Sequence, residues 1–217
     1  MVVAWLIWYS RNSVVYDHVQ WCAGGIIDKA ENLLDEFRAA NAGPQLAPAP
    51  LPSWWTPPPV GLYKVNFDAA WAKDHSEGGI GVVIRDHSGS FLAGLSKSGC
   101  RVSSAEAAEL VAAYEAINFA VDAGFRNFLL EGDNIGVMNA IRCNEDGLGS
   151  GGAIVADIVK ACLSCASLSF CFVKREGNCV AHQLAKYARS ILDFVVWLED
   201  PPSWLNDVLS RDVISSI

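Results

Sequence analysis

The chain has 217 residues, enough to bury one good core and to carry extra segments at its ends. With 52% hydrophobic and 18% charged residues, its composition excludes a disordered polar chain. The formal charge of −8 argues against a uniformly basic nucleic-acid binder, but the acids are unevenly placed: residues 60–190 hold 12 Lys/Arg against 14 Asp/Glu, and residues 191–217 hold 1 against 5.

The apolar run Val2–Tyr9 is too short for a membrane span and lacks a basic leader. Seven cysteines, an odd number without framework spacing, point to a reducing compartment, hence an intracellular location, nuclear or cytoplasmic. Trp5, Trp8, Ile26, Ile27, Leu33, Leu34 and Phe37 recur at helical spacing, predicting one or two helices within residues 1–41. The composition then shifts, ending in Trp54-Trp55-Thr56-Pro57-Pro58-Pro59, an extended linker. Residues 1–59 are therefore expected to be a helical segment with a Pro-rich linker, residues 60–190 a folded domain, and residues 191–217 a tail.

The domain opens on Tyr63-Lys64-Val65-Asn66-Phe67-Asp68, whose alternation predicts a strand with Tyr63, Val65 and Phe67 on one face. Two more apolar runs, Gly79–Arg85 and Phe91–Lys97, flank the turn Asp86-His87-Ser88-Gly89 and complete an antiparallel meander. An alanine-rich helix follows, from Ser104 to Ala123; Ser103 and Glu106 have capping-box spacing and Gly124 closes it. Next come a strand at Phe128–Glu131 and a helix at about Asn134–Arg142. A glycine-rich break at 147–152 leads to a helix near Ala153–Cys165, then a strand at Leu168–Val173 and a last helix at Asn178–Arg189. The order predicts an α/β fold, a five-stranded mixed sheet with helices on both faces, because the later parallel strands need crossovers.

Three acids occupy positions from which one point can be reached: Asp68 at the end of the first strand, Glu109 inside the alanine-rich helix, and Asp133 after Glu131-Gly132. Brought together they repel one another unless a cation neutralises them, so their convergence predicts bound Mg²⁺ or Mn²⁺ and phosphodiester cleavage. Each has an ordinary use as well: Asp133 as the N-cap of the next helix, Glu109 as a solvent-facing acid, Asp68 as the end of a strand.

Asp68, Gly78-Gly79-Ile80-Gly81, Ala108-Glu109-Leu110, Glu131-Gly132-Asp133 and Asn178-Cys179-Val180-Ala181-His182-Gln183-Leu184-Ala185, in this order over residues 60–190, resemble ribonuclease H type 1. The likeness is to the plant branch found at the end of non-LTR retroelement polyproteins. Trp5-Leu6-Ile7-Trp8 and the ending Trp197-Leu198-Glu199-Asp200-Pro201-Pro202 are similar to that branch's flanks, so Met1 lies within what resembles a longer reading frame.

The resemblance implies a nuclease that hydrolyses the RNA strand of RNA–DNA hybrids with two divalent cations, one activating water and the other stabilising the leaving 3′ oxygen. It assigns Asp68, Glu109, Asp133 and His182 as catalytic and metal-binding residues, and Ala69, Asn134 and Arg175 as substrate-binding positions. The implied partner is nucleic acid rather than a membrane, and the chain is expected to act as a monomer. His182 stands where the family usually has a carboxylate; imidazole suits Mn²⁺ better than Mg²⁺, so Mn²⁺ is expected to support cleavage better. The loop Lys174-Arg175-Glu176-Gly177 is short and lacks the family's histidine, and Asn144-Glu145-Asp146-Gly147 is acidic where some members carry a basic protrusion. These departures keep open a domesticated, weakly active or inactive domain that binds nucleic acid or protein. Cys162, Cys165, Cys179 and His182 also have zinc-knuckle spacing, but the strand-like Leu168–Val173 lies between the pairs.

Overall fold

Alternation and helical periodicity are realised nearly where the sequence puts them. The computed structural model describes residues 54–71, 77–143 and 150–214; the expected N-terminal helices, most of the linker and the 144–149 segment lie outside these. Strand β1 (Tyr63–Trp71) pairs antiparallel with β2 (Glu77–Arg85), and β2 with β3 (Phe91–Arg101). The turn between β2 and β3 closes on Asp86, whose Oδ1 accepts from the N–H groups of Ser88 and Ser90, with Gly89 at φ 82°.

Helix α1 (Ala105–Asp122) is capped by Ser104, whose hydroxyl accepts from Ala107 N at 3.1 Å, one residue later than the Ser103 capping box predicts. It ends at Gly124, φ 90°. Then follow β4 (Asn127–Gly132), α2 (Ile135–Cys143), α3 (Ser150–Cys162), β5 (Ser167–Phe172), α4 (Cys179–Ala188), β6 (Phe194–Leu198) and α5 (Asn206–Ile214). Strands β4 and β5 run parallel to β1, giving the sheet order β5-β4-β1-β2-β3-β6.

The sheet thus has six strands, not five. Phe194–Leu198, expected in the tail, pairs antiparallel with β3. Every residue of this strand is apolar, so no alternation betrays it; its pattern shows only in burial, with Val195 and Trp197 half-covered and Phe194 and Leu198 exposed. Asp68 also falls inside β1, which continues three residues to Trp71.

Two cores flank the sheet. Val65, Phe67, Val82 and Ile84 pack against α1, α2 and α3 on one face, and Val83 packs against Val180, Ala181 and Leu184 of α4 on the other. The second face is not apolar throughout: Lys64, Asn66 and Arg85, adjacent on β1 and β2, are buried there.

Candidate active site

Asp68, Glu109 and Asp133 reach one point because β1 and β4 are parallel neighbours and α1 crosses beside them. Each offers a carboxylate oxygen, and these oxygens all lie within 4.8 Å of one another. Among the described residues, this is the sole group of three or more His, Cys, Asp or Glu side chains placed to hold an ion. Asp133 is not the N-cap of α2. Asn134 is, with Oδ1 accepting from Val137 N at 3.2 Å, and this frees the Asp133 carboxylate for the site. Glu109 is buried rather than facing solvent.

Burial and mutual repulsion oppose ionisation here. Desolvation, reinforced by the Asp68 and Asp133 carboxylates, pushes Glu109 up to about 9. Asp68 is raised by burial and by Asp133, against the opposing pull of His182 and Arg175. Asp133 is raised by burial, again countered by Arg175 and His182. Among the described residues, Glu109 Oε2 is buried and has no hydrogen-bond partner, the condition of an oxygen placed to face a cation. The donor set, three carboxylates without a thiol, suits Mg²⁺ or Mn²⁺.

His182, on the first turns of α4, places Nδ1 2.7 Å from Asp68 Oδ2. Two features bring α4 that close. Gly79 and Gly81 of β2 face it, and a Cβ on either would lie 2.3 Å from Ala185 O or 2.2 Å from Ala181 O, so only glycine admits the helix backbone. Asn178, which opens the last-helix motif but carries no expected site role, is buried and donates from Nδ2 to Phe67 O at 2.8 Å, pinning the helix entrance beside Asp68.

Ala69, Asn134 and Arg175 line one open cavity of about 470 Å³ together with Asp68, Glu109 and Asp133. Trp71, Ala105 and Ile135 complete its wall, and nothing in their local pattern marks them out. Arg175 is carried on a short 3₁₀ turn, Arg175–Gly177. The zinc-knuckle spacing does not assemble: His182 bonds Asp68, while Cys162 closes α3 and Cys179 opens α4.

Residues 66–188, more than half of the chain, match the reverse transcriptase-like family. No functionally curated protein sequence is significantly similar. Among solved structures, the chain is similar to the ribonuclease H1 of the halophilic archaeon Halobacterium salinarum, at 23% identity and a TM-score of 0.55, over 59% of this chain and 97% of that one. An RNase H1 isolated from compost, solved in complex with an RNA/DNA hybrid, matches at 19% identity and a TM-score of 0.54, over 59% and 96%. The N-terminal RNase H domain of a Mycobacterium tuberculosis protein matches at 18% and 0.53, over 59% and 93%. The chain belongs to the reverse transcriptase-like family, and the sheet and helices that carry its acidic site have the ribonuclease H fold.

Proposed function

We propose that the chain is a metal-dependent endonuclease that hydrolyses the RNA strand of RNA–DNA hybrids. One observation carries this reading: three carboxylates from β1, α1 and the end of β4 place oxygens within 4.8 Å of one another, and one of their oxygens, Glu109 Oε2, is buried without a hydrogen-bond partner among the described residues. Asp68, Glu109 and Asp133 would hold the cations, with His182 beside Asp68. Bound divalent cations supply activation of water and stabilisation of the leaving 3′ oxygen. The chain's own residues do the rest: His182 orients the Asp68 carboxylate through its 2.7 Å bond, and Arg175 offers positive charge to a phosphate at the cavity mouth. Ala69 and Asn134 line the same cavity and are assigned to substrate contact. Water attack in line with the leaving oxygen needs no covalent enzyme intermediate.

The order of motifs and the flanking segments Trp5-Leu6-Ile7-Trp8 and Trp197-Leu198-Glu199-Asp200-Pro201-Pro202 support a plant non-LTR retroelement origin, with residues 60–190 as the nuclease domain and nucleic acid as the partner. A second reading has its own support. An imidazole occupies Asp68 Oδ2 where a fourth carboxylate would add negative charge, and that favours a domain of weak turnover retained for binding.

Cleavage of a labelled RNA–DNA duplex with Mn²⁺ and with Mg²⁺ tests both, comparing the protein with Asp68→Asn and His182→Asp. The nuclease reading expects activity that Asp68→Asn abolishes. Activity in His182→Asp alone favours the binding domain, and silence in all three removes the nuclease reading.

A further inference from the structure

Two segments outside residues 66–188 meet beneath the site. Trp55, ahead of β1, is buried, and its Nε1–H donates to Asn66 Oδ1 at 3.0 Å. Its ring stacks on the Arg85 guanidinium, centroid to Cζ 3.7 Å. Arg85 donates in turn to Asn66 Oδ1 at 3.2 Å and to Asp212 Oδ2 at 2.7 Å, and Asp212 comes from α5. Asn66 Nδ2 donates to Glu131 Oε2 at 2.9 Å, while Lys64 Nζ donates to Glu131 Oε1 at 2.9 Å and to Thr56 O at 2.7 Å. Asn66 and Glu131 are register partners, and each stands two residues before a carboxylate of the site, Asp68 or Asp133. Burying such a charged layer costs desolvation, whereas its directional bonds define geometry as apolar packing does not.

The same segment presses on the site from a second direction. Gly177 closes the turn that carries Arg175, and a Cβ there would lie 3.0 Å from Trp55 N, 3.1 Å from the carbonyl carbon of Trp54 and 2.6 Å from Val173 Cγ2. The turn therefore rests on the backbone of Trp54 and Trp55, and from there its exposed Arg175 lines the same cavity as Asp68 and Asp133.

We propose that Trp55 is a positioning residue for Arg175. Its indole is anchored to Asn66 and Arg85 beneath the catalytic strands, and its backbone supports the turn, so the arginine's place is set relative to the carboxylates. The consequence for substrate rests on the nuclease reading; the mechanical contact does not.

The test uses the full chain with two readouts: hydrogen exchange at residues 174–178, and fluorescence anisotropy of a labelled RNA–DNA hybrid with Ca²⁺ present. Trp55→Ala removes the anchor. Gly177→Ala pushes the turn off the same support and keeps the test available if Trp55→Ala does not fold. Each is expected to raise exchange at 174–178 about tenfold with β1 and β4 unchanged. Each should weaken hybrid binding by about fivefold or more, but by less than about twofold once Arg175→Ala is present, since both act through that side chain. Trp55→Phe, which keeps a ring over Arg85 but loses the bond to Asn66, should fall between the parent and Trp55→Ala in both readouts. Unchanged exchange in both variants, or losses that add to that of Arg175→Ala, overturns the proposal. A parent that binds no hybrid, with exchange rising as expected, removes the nuclease reading and leaves the positioning contact standing.

Discussion

Gly81 stands directly opposite Asp68 in the β1–β2 ladder, and the space its missing side chain leaves is filled by the backbone of α4. A Cβ at Gly81 would lie 2.2 Å from both Ala181 O and Ala185 N. The residue that admits α4 is thus the cross-strand partner of the carboxylate that α4 approaches through His182. Gly81→Ala is expected to cost about 3 kcal/mol, near the upper end for overpacking because backbone rather than a flexible side chain must yield. Urea denaturation checks this; a variant within about 1 kcal/mol of the parent would show that α4 can lift freely.

Stability of the metal-free protein should fall as pH rises. Glu109, raised to about 9 by burial and by Asp68 and Asp133, keeps its proton in the folded state where an unfolded carboxyl, at about 4.3, has lost it. The folded state then binds more protons, so stability declines between these values by up to about 1.4 kcal/mol per pH unit. Asp68 and Asp133, also raised, act in the same direction. Denaturant melts at pH 5, 7 and 9 in chelator should show the decline, and Mn²⁺ should shrink it. A flat profile would mean that neither burial nor the neighbouring acids raise Glu109 in the folded state.

His182→Asp places a carboxylate beside Asp68. The parent is expected to cleave hybrid faster with Mn²⁺ than with Mg²⁺, and the variant to shift this ratio toward Mg²⁺ by on the order of tenfold, since Mg²⁺ prefers oxygen ligands. Initial rates with each metal decide it. An unchanged ratio would take His182 out of the metal environment.

Arg85 of β2 and Asp212 of α5, far apart in the chain, form a buried ion pair at 2.7 Å. Asp212→Ala strands a guanidinium that is fully buried, at an expected cost of about 3–5 kcal/mol. The double variant Arg85→Met/Asp212→Leu should recover most of that loss, because it leaves no unpaired charge. Equilibrium unfolding of the three proteins tests this, and equal losses in the single and double variants would contradict it.

Much of the domain is legible in local patterns. The alternation around Val65 and Phe67, the turn chemistry at Asp86–Gly89, the stop at Gly124 and the helix at Cys179 all form within a residue or two of expectation, because each rests on neighbours in sequence. The meeting of Asp68, Glu109 and Asp133 is legible too, from their places at strand ends and inside a helix, reinforced by motif order.

Other features depend on residues far apart in the chain and leave no local trace. Lys64 and Asn66 look like the solvent face of an alternating strand, yet both are buried, because Trp55, Arg85 and Glu131 close over them with matching donors and acceptors. The choice of Asn134 over Asp133 as helix cap was open to either short polar side chain, and the parallel pairing of β1 with β4 turns Asp133 toward Asp68 instead. Sequence alone determined which segments become strands and helices and which acids are chemically suited to a cation, since propensity, turns and charge are properties of nearby residues. Only the tertiary structure decided that Phe194–Leu198 is a sixth strand, that Asp212 neutralises Arg85, and that Trp55 supports the Arg175 turn. Those outcomes are set by burial, where a polar group must find its partner wherever in the chain it lies.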